Sequence, residues 1–450
     1  MISTVSNADN LMKNTKRIGL SLSGGGYRAT AYHLGTLKKL RELKILKDID
    51  VISSISGGSI TSAFYGLNAD NFDEFESGLK KGLKSNVVKG LIMSPRFFVI
   101  VLAILAALFF TGYLLYHEHG WGSFAMLAGT LIILYKFQFK LLPLSKIIEE
   151  LYDRYFFGGK KLKDLSDKLD FAIGSTNLET GRLFTFSERK MADSSYTYPR
   201  DGSNPIRFKQ KEFPIARAVA ASACVPFAFT PVLIDKKFYQ DPSDIKRAKP
   251  RLVDGGVYDN QGIFSITRKG GSYECDVIIT SDAGDVMPYR HKYNNILQML
   301  LRTSNIFMNR IKNFQMVSNV FDNTDTDRKD VAYFSLGWDI EQSIPVFMKS
   351  LKNGIIMDSV IQAQNITQQE IDDKDWDGIR QKVETNIGYE NILAQQPTPK
   401  EVEIAREVAT SLWALKEIEI QSLIKHASCL CELQVKLYCP QLIDSTSQSD

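Results

Sequence analysis

The stretch Val51-Ile52-Ser53-Ser54-Ile55-Ser56-Gly57-Gly58-Ser59-Ile60 constrains the fold more than any other. Apolar strand formers run into a knot of small residues, and a helix-compatible segment, Ile60 to Leu67, follows at once. That order predicts a strand-to-helix turn with Ser56 at its apex, where small neighbours let the backbone bend sharply and leave a hydroxyl exposed. Ser56 is therefore the candidate nucleophile. Serine and glycine also cluster in ordinary turns, so the reading depends on two further stretches: a glycine run near the N-terminus and Asp254-Gly255-Gly256.

The first of these follows the run Arg17 to Ser23, R-I-G-L-S-L-S, a buried-strand pattern that empties into Gly24-Gly25-Gly26. Tyr27 to Leu43 then carries apolar residues three apart at Leu34, Leu37, Leu40 and Leu43, which predicts a helix. A strand, glycine loop and helix in succession place unsatisfied backbone N–H groups at a positive helix end, a natural anion site. Two chemistries use such a device. A dinucleotide would take Gly24, Gly26 and Ala29 as a G-x-G-x-x-A fingerprint, but it also calls for an acidic residue closing the next strand. That strand closes on Ser54-Ile55-Ser56-Gly57-Gly58 instead. The sequence thus favours acyl transfer, in which the same amides hold the negative oxygen of a tetrahedral intermediate. Arg28, in the first helical turn, is either a surface charge or structural ion-pair partner, or a group that orients the glycine loop or attracts an anionic head group.

Phe97 to Tyr116 is uncharged over 20 residues, enough to cross a hydrocarbon layer. Trp121 to Tyr135 is a shorter uncharged run, which spans only if Phe137 and Phe139 are included and Lys136 snorkels. His117-Glu118-His119-Gly120 would link the two as a tight hairpin. Lysine and arginine flank both outer ends, so the positive-inside rule puts the linker across the membrane and the rest of the chain in the cytoplasm. A buried or interfacial helix pair is the alternative.

Further on, Leu144 to Phe156 reads as a helix, Leu169 to Thr176 and Arg182 to Ser187 as paired strands, and Phe213 to Ala223 as a helix stopped by Cys224-Val225-Pro226. Leu252-Val253 delivers Asp254-Gly255-Gly256, Asp276 to Ser281 is a buried-strand pattern, Asn294 to Phe321 a long helix, and Pro397 to Tyr438 largely helical. Strands alternating with helices predict an α/β layered fold with a mostly parallel central sheet. The expected organisation is a polar N-terminal segment (1–16), a catalytic domain in two parts (17–90 and 141–395) interrupted by a hydrophobic membrane hairpin (91–140), and a C-terminal helical segment with a polar tail (396–450). A formal charge of +4, without basic runs interleaved with aromatics, argues against nucleic acid as a partner. Five scattered cysteines without a C-x-x-C pair argue against a disulfide framework or zinc site and fit a reducing compartment. The polar start, Met1 to Lys16, lacks the apolar core of a signal peptide.

Set side by side, Gly24-Gly25-Gly26-Tyr27-Arg28, the Ser56 elbow and Asp254-Gly255-Gly256 occur in the order seen in patatin-like phospholipases, and the chain resembles that family from about Arg17 to Ser281, the hairpin excepted. Ala31-Tyr32-His33-Leu34-Gly35 and the stretch from Ser222 to Val232 add to the likeness. The resemblance implies a three-layer α/β/α hydrolase with a Ser-Asp dyad: Ser56 as nucleophile, Asp254 as general base, and amides of Gly24, Gly25, Gly26 and Gly57 as oxyanion hole. Two positions depart from the pattern, Ser54 in place of the first glycine of G-x-S-x-G and Ala29 where a glycine often follows the arginine. Both residues are small enough for close packing.

A serine needs a base within hydrogen-bond reach to be nucleophilic at neutral pH. Asp254 fits because paired glycines beside it permit close backbone approach, whereas Asp259 reads as solvated or bonded within its loop. A Ser-Asp-His triad through His291 is the alternative in chain order; His33 reads as a packed or capping residue. The expected substrate is a phospholipid, lysophospholipid or glyceride ester met at the bilayer surface, with neither cofactor nor metal. The rival readings are a catalytically silent membrane-anchored protein that binds lipid or a partner, and a nucleotide-binding oxidoreductase.

Overall fold

A computed structural model describes residues 16–284, 294–318 and 329–443. Its spine is a row of parallel strands in which β1 (Ile18–Leu22) lies between β2 (Val51–Ile55) and β8 (Val277–Asp282), with β3 (Asp170–Asn177) beyond β2 and β9 (Asp330–Ser335) beyond β8. Every residue of these strands is buried, because a parallel sheet is covered on both faces. Alternate side chains enter opposite cores, as the period of two requires. Leu20, Ile52, Ile173, Ile279 and Phe334 point into the larger cluster. Val51, Ala172, Ile278, Val331 and Tyr333 point into a smaller one with Ile263, Ile266 and Tyr273.

Beyond β3 the sheet turns antiparallel, first through the pairing read from Leu169 to Thr176 with Arg182 to Ser187 and then through shorter strands that the sequence pattern does not show. β4 (Arg182–Phe186) and β5 (Met191–Ala192) continue the sheet antiparallel, while β7 (Arg251–Asp254) pairs antiparallel with β3 and with β6 (Val232–Leu233). The sheet is therefore mixed. The layers are also uneven. Helix α1 (Gly26–Glu42) packs under α9 (Glu417–Tyr438) on the larger core, so closely that a Cβ on Gly35 would collide with the Ile424 carbonyl. The opposite face is covered near β1 and β2 by the loop around the single helical turn Phe264–Thr267.

Helix α2 (Gly57–Leu67) follows β2, and α3 (Phe72–Leu83) follows α2. Two long helices then leave the body: α4 (Pro95–Tyr116), capped by Ser94, and α5 (Gly120–Leu141). They pair as a hairpin in which Ser123 Oγ donates to the Thr111 carbonyl at 2.9 Å, and no residue of α4 is buried. Both are long and apolar enough to cross a membrane by length and composition. At 22 residues each, they measure about 33 Å. So large an exposed apolar surface is uncommon on a soluble monomer.

The hairpin is fastened to the body at its base. Arg96 pairs with Glu150 at 2.9 Å on the helix that follows, α6 (Leu144–Tyr152). Ser145 N–H donates to Thr230 Oγ1 at 3.3 Å, and Ser145 Oγ donates to the Thr230 carbonyl. Helix α7 (Ile215–Ser222) packs beside α6 and leads directly into the loop that contains Thr230. A further long helix, α8 (Ile296–Met316), lies over the turn after β7.

Candidate active site

The carboxyl ends of the parallel strands meet at one edge, and the chain turns in opposite directions from β1, towards β2 and β3 on one side and β8 and β9 on the other. A crevice at such a switch point is where open α/β sheets bind ligands. Ser56 stands at this switch point between β2 and α2 with φ 50° and ψ −116°, and at 7% exposure it is buried, not exposed as the strand-to-helix turn predicts. A positive φ is unfavourable for a residue with a Cβ, by roughly 1–3 kcal/mol, and persists only where the surroundings impose it. Ser222 supplies part of that constraint. Its hydroxyl donates to the Gly174 carbonyl at 2.6 Å, so it accepts from Ser56 N–H and from Ser59 Oγ, each at 2.9 Å. The glycines after Ser56 allow the rest. A Cβ on Gly57 would collide with the Gly26 carbonyl, and one on Gly58 with the Leu22 carbonyl, so the two strand-to-helix junctions are in backbone contact.

Asp254 ends β7 on the other side of Ser56. Its N–H donates to the Cys224 carbonyl at 2.8 Å, and the next N–H, of Gly255, to the Ser222 carbonyl at 3.1 Å. Ser222 thus touches both halves of the site. The Asp254 carboxylate accepts from Gly256 N–H at 2.7 Å, and the Ser56 hydroxyl lies near enough to favour its charged form. Burial pushes its pKa up to about 7, against the opposing pull of those two groups. A buried carboxylate poised near neutrality beside a serine hydroxyl has the character of a general base.

The glycine loop faces the pair. Gly25 and Gly26 have φ of 146° and 60°, regions that residues with a Cβ avoid. Gly26 and Gly57 are the first residues of α1 and α2, so neither amide has an intrahelical acceptor, and the two helix N-termini converge beside Ser56. Gly24 differs: its N–H donates to the Asn260 carbonyl at 2.9 Å. The oxyanion reading therefore narrows to Gly25, Gly26 and Gly57, with Gly24 as the anchor of the loop. Arg28 donates to the Val408 carbonyl at 3.3 Å, and Tyr27 N–H to the Ser411 carbonyl at 2.9 Å. The segment between the helix Pro399–Glu407 and α9, inside a stretch that reads as largely helical, thus clamps the glycine loop from outside.

The sequence pattern assigns no role to two residues of the site. Ser222 is one, and Asn260 is the other: its Oδ1 would lie 2.5 Å from a Cβ on Gly24 and 2.6 Å from one on Gly256. Asp259 is fully buried, not solvated, and its carboxylate accepts from the amides of Gln261, Gly262 and Phe264 at 3.1, 3.1 and 2.7 Å. Burial raises its pKa to about 6, against those bonds. His33 is also fully buried. Its Nε2–H donates to the Ser23 carbonyl and its Nδ1 accepts from Ser281 Oγ, both at 2.9 Å. Burial lowers its pKa to about 4, so it is a neutral strut beneath the glycine loop. His291, the residue of the triad alternative, lies outside the described residues.

Residues 20–265 match the family model described as patatin-like phospholipase. No curated protein matches the chain. Among solved structures, human GIVD cytosolic phospholipase A2 is similar at 12% identity with a TM-score of 0.48, covering 96% of this chain and 63% of that one. The same human enzyme in complex with methyl gamma-linolenyl fluorophosphonate inhibitor and terbium chloride gives 11% identity, a TM-score of 0.47, and coverage of 96% and 60%. VipD from Legionella pneumophila gives 13% identity and a TM-score of 0.30, covering 97% of this chain and 88% of that one. The chain spans about three-fifths of the length of the human phospholipase. With a family model matching more than half of its residues, the chain belongs to the patatin-like phospholipase family.

Proposed function

We propose that the protein is a membrane-tethered lipid acyl hydrolase that cleaves carboxylic esters with Ser56 and Asp254. The observation that carries this reading is the placing of a serine held at positive φ next to a buried carboxylate, beside two converging helix N-termini. In the first step Asp254 accepts the Ser56 proton while Oγ bonds to the ester carbonyl carbon. The negative oxygen of the tetrahedral intermediate faces the amides of Gly25, Gly26 and Gly57, where donors of this kind are worth about 2.7–4 kcal/mol each. The intermediate collapses with loss of the alcohol, which takes the proton from Asp254 and leaves an acyl-serine. Water, deprotonated by the same carboxylate, releases the fatty acid and restores the serine.

The hairpin supports lipid as the substrate. Thr230, bonded to Ser145 at the hairpin base, and Cys224, whose carbonyl binds Asp254 N–H, lie on one short loop that also exposes Val225 and Phe227. A hairpin crossing the bilayer, with both outer flanks on the cytoplasmic side, would hold that loop and the active site at the membrane surface. Working there avoids drawing acyl chains into water, at about 0.8 kcal/mol per methylene. A phospholipid, lysophospholipid or glyceride ester is the class that fits. Hydrolysis of a chromogenic ester by Ser56→Ala and Asp254→Asn tests the assignment. Both are expected to lose most of the turnover, and wild-type rates in either would contradict it.

A further inference from the structure

Helix α8 (Ile296–Met316) is amphipathic in the wrong sense for a soluble protein. A surface helix normally turns its apolar stripe inward and its polar side to water. Here Ile296, Leu300, Phe307 and Phe314 lie on one exposed stripe, with Val317 just beyond the helix end; Ile296, Phe307 and Phe314 are 72%, 62% and 73% exposed. No residue of the helix is buried.

Its inner side is held by specific contacts to the rim of the candidate active site. Lys312 Nζ meets Asp282 Oδ2 at 2.6 Å, at the end of β8, where Tyr333 OH donates to the same oxygen at 2.6 Å. Gln315 hydrogen-bonds to the buried Asp259. Met308 Cε lies 3.1 Å from where a Cβ on Gly256 would stand, two residues from Asp254. The helix is therefore seated on the catalytic turn by its polar side, with its apolar side unpartnered within the described chain. Its charge is one-sided: residues 294–318 contain no Asp or Glu, and besides Lys312, which pairs inward with Asp282, they carry Arg302 and Arg310. An apolar stripe with basic residues and no acidic ones is the composition of a helix that lies in a membrane interface, attracted by anionic lipid.

We propose that α8 docks by its outer stripe onto the surface of a bilayer containing anionic lipid, bringing the rim around Asp254 against that surface. The proposal rests on the membrane-tethered reading above for the presence of a bilayer, and its test separates the two. All five native cysteines are buried, so a single thiol introduced as Phe307→Cys takes an environment-sensitive fluorophore selectively. The full chain carrying it is reconstituted into phosphatidylcholine vesicles with and without phosphatidylglycerol, and floated.

Docking predicts that the floated protein shows blue-shifted emission, quenched by spin labels near the headgroups and more strongly when phosphatidylglycerol is present. A protein that floats with water-like emission overturns docking and leaves the hairpin reading standing. A blue shift insensitive to the lipid quencher means that protein covers the stripe, which also overturns it. A chain that fails to float overturns both readings. Phe307→Asp combined with Phe314→Asp gives a second test. Hydrolysis of vesicle phospholipid should fall about tenfold or more, given what burying two aromatic side chains is worth, while turnover of a soluble short-chain ester is retained. Equal loss on both substrates would contradict docking.

Discussion

Ser222→Ala is the substitution that most closely tests how the chain holds its reactive serine. The hydroxyl makes three buried hydrogen bonds, to Gly174 O at 2.6 Å and from Ser56 N–H and Ser59 Oγ at 2.9 Å each. Ser59 is adaptable, because its hydroxyl can rotate towards another acceptor. Ser56 N–H is less so, since it points into the core from a backbone already at φ 50°. A buried donor left without a partner costs about 1–3 kcal/mol, and an ordinary buried hydrogen bond contributes about 0.5–1.5 kcal/mol. Together these give an expected loss of about 2–4 kcal/mol for the variant. Urea unfolding in mild detergent reads the loss, and ester turnover reads the site. The prediction is lowered stability together with a fall in kcat that exceeds any rise in KM, because the elbow loses its tether while the substrate surface is unchanged. Ser222→Cys, which keeps a weak donor and acceptor, should recover part of both. A Ser222→Ala protein within about 0.5 kcal/mol of wild type, the usual range for surface changes, and with an unchanged kcat would refute this account of the elbow.

Asp254 must be ionised to accept the serine proton, and burial holds its pKa at about 7. Turnover should therefore rise tenfold per pH unit below about 7 and level off above it, and a profile already flat from pH 5 would contradict Asp254 as the base. The hairpin predicts a protein that fractionates with membranes and stays with them through an alkaline carbonate wash; release by that wash would argue against spanning.

Local signals made the Ser56 elbow and the glycine loop legible, because strand formers, small residues and helix formers follow one another within a few positions. Asp254 was legible for the same reason, as a carboxylate between a short apolar run and two glycines. Ser222 and Asn260 act on Ser56 and on the glycine loop from far along the chain, and although Ser222 opens a stretch that adds to the family likeness, nothing local shows what either side chain does. The spent amide of Gly24 is a similar case: only the placement of the Asn260 carbonyl reveals it. The mixed sheet escaped the pattern because β5, β6 and β7 are two to four residues long, too short to show a period. Asp259 reads from the sequence as solvated or bonded within a loop; it ends the short helical turn Gly256–Asp259, and three backbone amides of the residues that follow compensate for its complete burial. In α8, periodicity predicts a helix with an apolar side and says nothing about which way that side faces.

The central claim is that Ser56 is an activated nucleophile and that Asp254 activates it. The most direct measurement is the rate and site of labelling by a fluorophosphonate, read by mass spectrometry in wild type and in Asp254→Asn. The account predicts covalent modification at Ser56 in the wild-type protein and a rate lower by about 10²–10⁴ in the variant, the range for a lost general base. Modification at a different serine, or equal rates in the two proteins, would contradict it.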